Sequence, residues 1–215
     1  RPDLARHAAS GGKLAKLAGI MAYGGHESRG ALKAAALLAF VGAVLVAVYT
    51  GAEVAVVRAR PLWNTSLLPL QFIVTAFAGA AGLALVFNYF SARNAAVTHT
   101  LARVLAASQF LALAIGALWL ALGLSGWSAT HAQALAEVGP SANWQVSAVW
   151  AVAATVLTGV LAWKRPGAGL LIGLLALHSA WMMRWSIFIG GQEVPKTGAG
   201  YYSYAVPLGP EGLLG

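Results

Sequence analysis

Ionisable and strongly polar side chains are scarce in this sequence, and those that interrupt its long apolar runs have the most chemistry to offer. Tyr49 and Glu53 stand four residues apart, which stacks them on one face of a helix, and Gln71 lies one turn into the next apolar run. The connection between the two runs is short, so the three groups are expected to meet at one depth. A Tyr hydroxyl or Gln amide can hydrogen-bond a quinone carbonyl, and a carboxylate near a surface can relay the accompanying proton. Glu53 has a second possible use, an ion pair with Arg58, Arg60 or Arg184. His178 sits within another apolar run, and a buried imidazole there could ligate haem iron. Bis-histidine ligation needs a second histidine at matching depth, whereas His7, His26, His99 and His131 fall in loops or at run ends. No haem b is therefore expected, and His178 should hydrogen-bond a neighbouring helix. Arg184, flanked by Trp181 and Trp185, is placed to snorkel to headgroups, with partner docking or a charge beside a quinone as the other readings.

The elements that must position these residues are membrane spans. The 215 residues are 59% apolar and only 9% charged, with a mean hydropathy of +0.72, against about 25% charged for a typical soluble domain. Too little polar chain is left to enclose the apolar runs in water. A spanning helix needs about 20 mostly apolar residues, and five stretches meet or approach that: 31–57, 67–90, 101–122, 144–163 and 167–189. Lipid supplies no hydrogen-bond partner to the backbone, so only helices or closed barrels span it, and these runs lack the alternation of barrel strands. The expected fold is all-α, a polytopic transmembrane bundle. Small residues at spacing four, as in Ala78-Gly79-Ala80-Ala81-Gly82, favour close helix contact.

Charge gives the orientation. The pI of 10.2 comes from basic residues scattered between apolar runs rather than gathered on one face, which excludes a nucleic-acid surface and points to topology. Arg1, Arg6, Lys13, Lys16, Arg29, Lys33, Arg93, Arg103, Lys164 and Arg165 fall on one side of the five spans. Arg58, Arg60, Arg184 and Lys196 fall on the other. The first set marks the cytoplasmic side of a prokaryotic inner membrane, with residues 1–30 as a basic cytoplasmic segment and the C-terminus extracytoplasmic. The 124–143 loop and the tail 190–215 then lie outside. The tail carries Gln192, Tyr201, Tyr202 and Tyr204 and is expected to dock on a partner, because Tyr combines large contact area with a polar tip. With no cysteine, the chain cannot hold a thiolate zinc site or a cysteine-ligated iron–sulfur cluster, and no metal site is expected. No phosphate loop or Ser/His/Asp arrangement is present to suggest hydrolysis or phosphoryl transfer.

Residues 49–83 read YTGAEVAVVRARPLWNTSLLPLQFIVTAFAGAAGL, and residues 184–192 read RWSIFIGGQ. The first stretch resembles the polysulfide-reductase membrane subunit family, also called NrfD or PsrC-like, in which a Tyr-Thr-Gly helix is followed by a Pro-x-Trp-Asn-Thr-x-x-Leu-Pro turn and a small-residue helix. The second resembles that family's closing Arg and Gly-Gly-Gln element. The resemblance implies an eight-to-ten-helix anchor, of which these spans are the last five. It implies quinone (menaquinone or ubiquinone) bound near the outer surface, and an extracytoplasmic iron–sulfur subunit leading to a molybdopterin or cytochrome subunit. Tyr49 matches the helix whose tyrosine contributes to the family's quinone pocket. The histidine and asparagine of the family's first helix have no counterpart here, so further helices are expected to precede Arg1.

These readings give an electron-transfer anchor, a component of an enzyme rather than an enzyme by itself. Two others compete: a proton or small-solute path through the bundle, and a purely structural anchor. Transport requires polar residues across the whole depth, yet the inner half offers Asn88 and little else.

Overall fold

In a computed structural model of the protein, residue 9, residues 29–91 and residues 93–194 are described. Every regular element among them is helical: α1 (Arg29–Ala55), α2 (Leu67–Phe90), α3 (Ala95–Leu124), α4 (Ala129–Val138), α5 (Ala142–Lys164) and α6 (Gly169–Glu193). All but α4 are long and apolar enough to cross a bilayer, so the chain is a multi-pass α-helical membrane protein. The chain divides into two compact units, residues 1–43 and residues 44–215. The described part of the first is residue 9 and the leading half of α1. The second holds everything from Val44 onward.

Within the second unit α2, α3, α5 and α6 form a four-helix ring in which each packs on two neighbours. Its centre is made of small apolar residues and a few satisfied polar ones. Ala78, Ala81, Leu85, Ala102, Leu105, Ala106, Ala162, Ile172 and Ala176 form one cluster. Across the ring, Gln109 of α3 donates to Ser179 Oγ of α6 at 2.6 Å. Thr155 and Thr158 return their hydroxyls to carbonyls one turn back, which satisfies them without an interhelical partner. At the end of the ring remote from the 56–66 connection, Asn88 donates to Asn94 O and Thr98 Oγ1 and accepts from Asn94 N. The one conspicuous polar residue of that half thus ties the α2–α3 hairpin.

Packing without a hydrophobic drive between helices depends on close approach. A methyl group on Gly173 would lie 2.7 Å from Gly82 O, and one on Gly82 would lie 2.9 Å from Gly173 O and 2.7 Å from Ala176 Cβ. One on Gly79 would meet only Ala180 Cβ, at 3.8 Å. Only Gly82, of the two glycines in the small-residue run, therefore sets the α2–α6 separation. Gly173→Ala and Gly82→Ala should each cost about 1–3 kcal/mol, read as a lower melting temperature in detergent, whereas Gly79→Ala should leave it unchanged.

Besides the earlier start of α3 at Ala95, two boundaries on the α4 side differ from the sequence reading. Residues 124–143 are not a plain loop, since α4 occupies their middle with Ser128 Oγ accepting from His131 N as its N-cap. Helix α6 continues past Ile189 to Glu193, taking Gly190 and Gly191 into the helix rather than the tail. The reason is steric: a methyl on Gly190 would lie 2.5 Å from Trp144 Nε1, and one on Gly191 would lie 1.7 Å from Trp63 Nε1. Two indoles occupy the space that side chains would need.

Candidate functional site

The α1–α2 connection and the end of α6 build one end of the site together. Asn64 Nδ2 donates to Ala55 O at 2.7 Å, closing the C-terminus of α1. Trp63, pressed on Gly191, donates its indole N–H to Ile187 O at 2.9 Å and meets Phe188 edge to face. Arg60 Nη1 donates to the carbonyls of Gly191, Gln192 and Val194. These are carbonyls of the last turn of α6 and of its C-cap Val194, where the helix dipole favours a cation, and burial lowers the pKa of this guanidinium from its ordinary value. The two segments whose residues carry the family resemblance, some 130 positions apart, are therefore one structural joint.

Below that joint the ring opens. A cavity of about 390 Å³ lies between α2, α3, α5 and α6, walled mainly by Leu, Ile, Val, Ala and Met side chains, with Trp119 and Trp144 at its upper rim. Its polar groups are few, chiefly Gln71 and Ser186. Ser186 is satisfied by Met183 O at 2.9 Å. Gln71 is not: its side chain is 4% exposed, and neither the amide nitrogen nor the oxygen has a hydrogen-bond partner among the described residues. An unpartnered buried amide costs about 1–3 kcal/mol. A mostly apolar pocket with one convergent polar group suits a flat amphipathic ligand bearing a hydrogen-bonding carbonyl.

The upper end of the cavity is closed by a second apolar cluster. Ala134, Leu135 and Val138 of α4 pack on Leu62 and Val194, with Trp119 and Trp144 against them. Leu62, Trp119 and Trp144 belong both to this lid and to the cavity wall. His131 lies on the buried face of α4, its ring centroid 4.9 Å from that of Trp119, with Nε2 buried and unpartnered. Burial pushes its imidazole below the usual histidine pKa. Glu193 is 7% exposed at the end of α6, and its Oε2 is likewise buried without a partner among the described residues.

The residues singled out from sequence are distributed as follows. Gln71 lines the cavity, but Tyr49 and Glu53 do not. Gly51 faces α2, where a methyl group would fall 2.6 Å from Pro69 Cα. Residues 49 and 53 lie nearly half a turn around α1 from it. Tyr49, 66% exposed, and Glu53, also exposed, thus point away from α2, and the expected meeting with Gln71 does not occur. Arg184 turns inward rather than to headgroups: Nε donates to Thr75 Oγ1 at 3.1 Å, Nη2 donates to Phe72 O at 3.0 Å, and the guanidinium sits over the Phe72 ring. His178 Nε2 accepts from Trp150 Nε1 at 2.8 Å, a link from α5 to α6. Arg58 and the Gln192 side chain are exposed. Tyr201, Tyr202 and Tyr204 lie outside the described residues. Sequence reading passed over His131 and Glu193 as loop and tail residues; the spacing of His131, Ala134, Leu135 and Val138 after Ser128 is the helical signal that reveals the first.

No group of three or more His, Asp or Glu side chains suited to a metal ion is found among the described residues. Residues 4–196 match the family model described as polysulphide reductase, NrfD. A tetrathionate reductase subunit of Salmonella typhimurium is 32% identical over 197 residues, covering 88% of this chain and 55% of the relative's length. The chain thus spans just over half of that curated relative. No solved structure matches.

Proposed function

The chain belongs to the NrfD polysulphide reductase family, and from that premise we propose that it is the membrane anchor of a reductase complex, passing electrons between membrane quinone and an iron–sulfur subunit. The observation that carries this reading is the cavity and its one unanswered polar group. Gln71 offers an N–H donor to a quinone carbonyl or an oxygen acceptor to a quinol hydroxyl, inside walls apolar enough for the ring and the start of an isoprenoid tail. Menaquinone and ubiquinone both fit that chemistry.

The lid end of the bundle is the docking end. It carries the 56–66 connection, α4 and the end of α6, and the charge pattern supports an extracytoplasmic position for it at a prokaryotic inner membrane. Exposed Gln192, and beyond it Tyr201, Tyr202 and Tyr204, are assigned to the iron–sulfur partner, which leads to a molybdopterin or cytochrome subunit. Tyr49 and Glu53 form a separate polar strip on α1. Tyr49, which matches the family tyrosine, is assigned to quinone contact there, with Glu53 and nearby Arg58 in proton exchange.

Trp119 and Trp144 supply the test, because a quinone in the cavity lies against both rings and quenches them. Titrating the detergent-solubilised protein with a short-chain quinone analogue should give saturable quenching, most of it lost in a Trp119→Phe/Trp144→Phe variant. Absence of saturable quenching, together with no inhibition of the intact complex by the analogue, would overturn the assignment.

A further inference from the structure

Quinone chemistry in this cavity has a proton problem. Oxidation of a quinol breaks two O–H bonds, sends two electrons to the one-electron clusters of the partner and releases two protons; reduction runs the same balance backward. None of the residues lining the cavity titrates. Gln71 can hold the head group but cannot take its proton.

The lid lies between the cavity wall and α4, and beside it are two titratable side chains, His131 and Glu193, each with a buried atom that has no hydrogen-bond partner among the described residues. The His131 ring lies 4.9 Å from and tilted against that of Trp119, a residue shared by lid and wall. Gly123 of α3 leaves room for the imidazole, since a methyl group there would lie 3.0 Å from His131 Nε2. Met183, Ser186 and Gly190 follow one stripe of α6 along the cavity, and Glu193 is the next position of that stripe, one turn beyond Gly190. Val194, beside it, packs on Ala134, Leu135 and Val138 of the helix that carries His131. We infer that His131 and Glu193 are relay residues that carry protons between the quinone cavity and the extracytoplasmic surface. The inference rests on the quinone assignment given above.

Both groups suit a relay because His131 Nε2 and Glu193 Oε2 have no hydrogen-bond partner among the described residues. Nε2 of a neutral imidazole and a free carboxylate oxygen each accept a proton and return it. Other charges around the lid are differently engaged. Gln133 donates to Glu137 at 3.3 Å, Arg60 is held on the α6 carbonyls, and Arg58 is exposed. The adjoining ends of α3 and α5 contribute tryptophans and small residues and no charged side chain. Because burial holds His131 neutral to lower pH than an ordinary histidine, it remains a proton acceptor into mildly acidic conditions. Below its pKa it is protonated at rest and cannot accept.

The experiment uses the intact complex, assayed as quinol-linked turnover across pH, with analogue quenching as the independent measure of binding. His131→Asn and Glu193→Gln should each lower kcat about threefold, and the double variant about tenfold, with KM and quenching unchanged; general acid–base catalysis reaches about a hundredfold or more where bulk water cannot substitute. His131→Asn should also move the acidic limb of the kcat profile, and Glu193→Asp should recover most of the activity lost in Glu193→Gln. Copurification with the partner subunits establishes that each variant assembles. Normal quenching with an unchanged kcat and pH profile in the double variant overturns the relay alone. Failure of the wild-type protein to quench overturns the cavity assignment instead. A loss of turnover that neither Glu193→Asp nor any change in pH profile accompanies assigns the two residues to packing and overturns the relay.

Discussion

Gln71→Leu is expected to lower quinol-linked turnover of the assembled complex by about 10- to 100-fold while leaving the isolated protein as stable as the wild type or more so. The opposed signs follow from one fact, that the Gln71 amide is buried with no partner among the described residues. Its presence costs the ligand-free fold about 1–3 kcal/mol, which Leu removes at nearly the same volume. Under the proposed function the same amide supplies the hydrogen bond that orients a quinone head group, and every 1.4 kcal/mol lost there is about tenfold. Melting in detergent and turnover in membranes read the two sides. A melting temperature that falls with the activity would show that Gln71 is a structural residue and remove the reason for placing a quinone beside it. Gln71→Glu is the complementary variant: it retains an acceptor and loses the neutral donor, so it should depress turnover and stability together, because an unpaired buried carboxylate is costlier than an unpaired amide.

The second large effect is expected at Gly191. A methyl group there would lie 1.7 Å from Trp63 Nε1 and 2.2 Å from Trp63 Cε2, so Gly191→Ala must displace the indole. With it go the Trp63–Ile187 hydrogen bond, the edge contact to Phe188 and the seat from which Arg60 reaches the carbonyls of Gly191, Gln192 and Val194. Overpacking and the lost hydrogen bonds together amount to about 3 kcal/mol or more, enough to remove most of the folded protein from membranes. The check is a double-mutant cycle. Trp63→Leu alone weakens the same joint, but combined with Gly191→Ala it should recover part of the loss, because the clash is gone. Strict additivity of the two substitutions would disprove the proposed contact. Gly190→Ala, set against Trp144, should behave in the same direction.

The spans were readable because bilayer thickness fixes length and composition together, and four of the five expected stretches agree with their helices to within a few residues at most ends. The exceptions are instructive. Helix α3 begins at Ala95, six residues before the apolar run, because the Asn94 side chain accepts from Val97 N and starts a helix that hydropathy alone does not register. Gly190 and Gly191 read as a helix terminator, yet they are helical because two distant indoles fill the space beside them, a tertiary fact invisible to local propensity. Counting residues put Tyr49, Glu53 and Gln71 at comparable depth and said nothing of rotation. Gly51 sets the rotation by packing on Pro69 and Phe72, and it turns Tyr49 and Glu53 away. The family resemblance found the right segments without revealing that Arg60 and Trp63 of the first bind the backbone of the second.

That joint also constrains the order in which the protein can be made. Arg60 and Trp63 leave the ribosome before α2, while the carbonyls and glycines they need arrive only with the end of α6. During synthesis the connection between α1 and α2 must therefore wait, its cation and indole unsatisfied at the membrane surface, until the last turn of α6 has emerged. The cavity and its lid share that dependence, since Gly190 and Gly191 line the one and Val194 packs into the other. A chain stalled before α6 has spans but no cavity, so the pocket cannot form until α6 has been made.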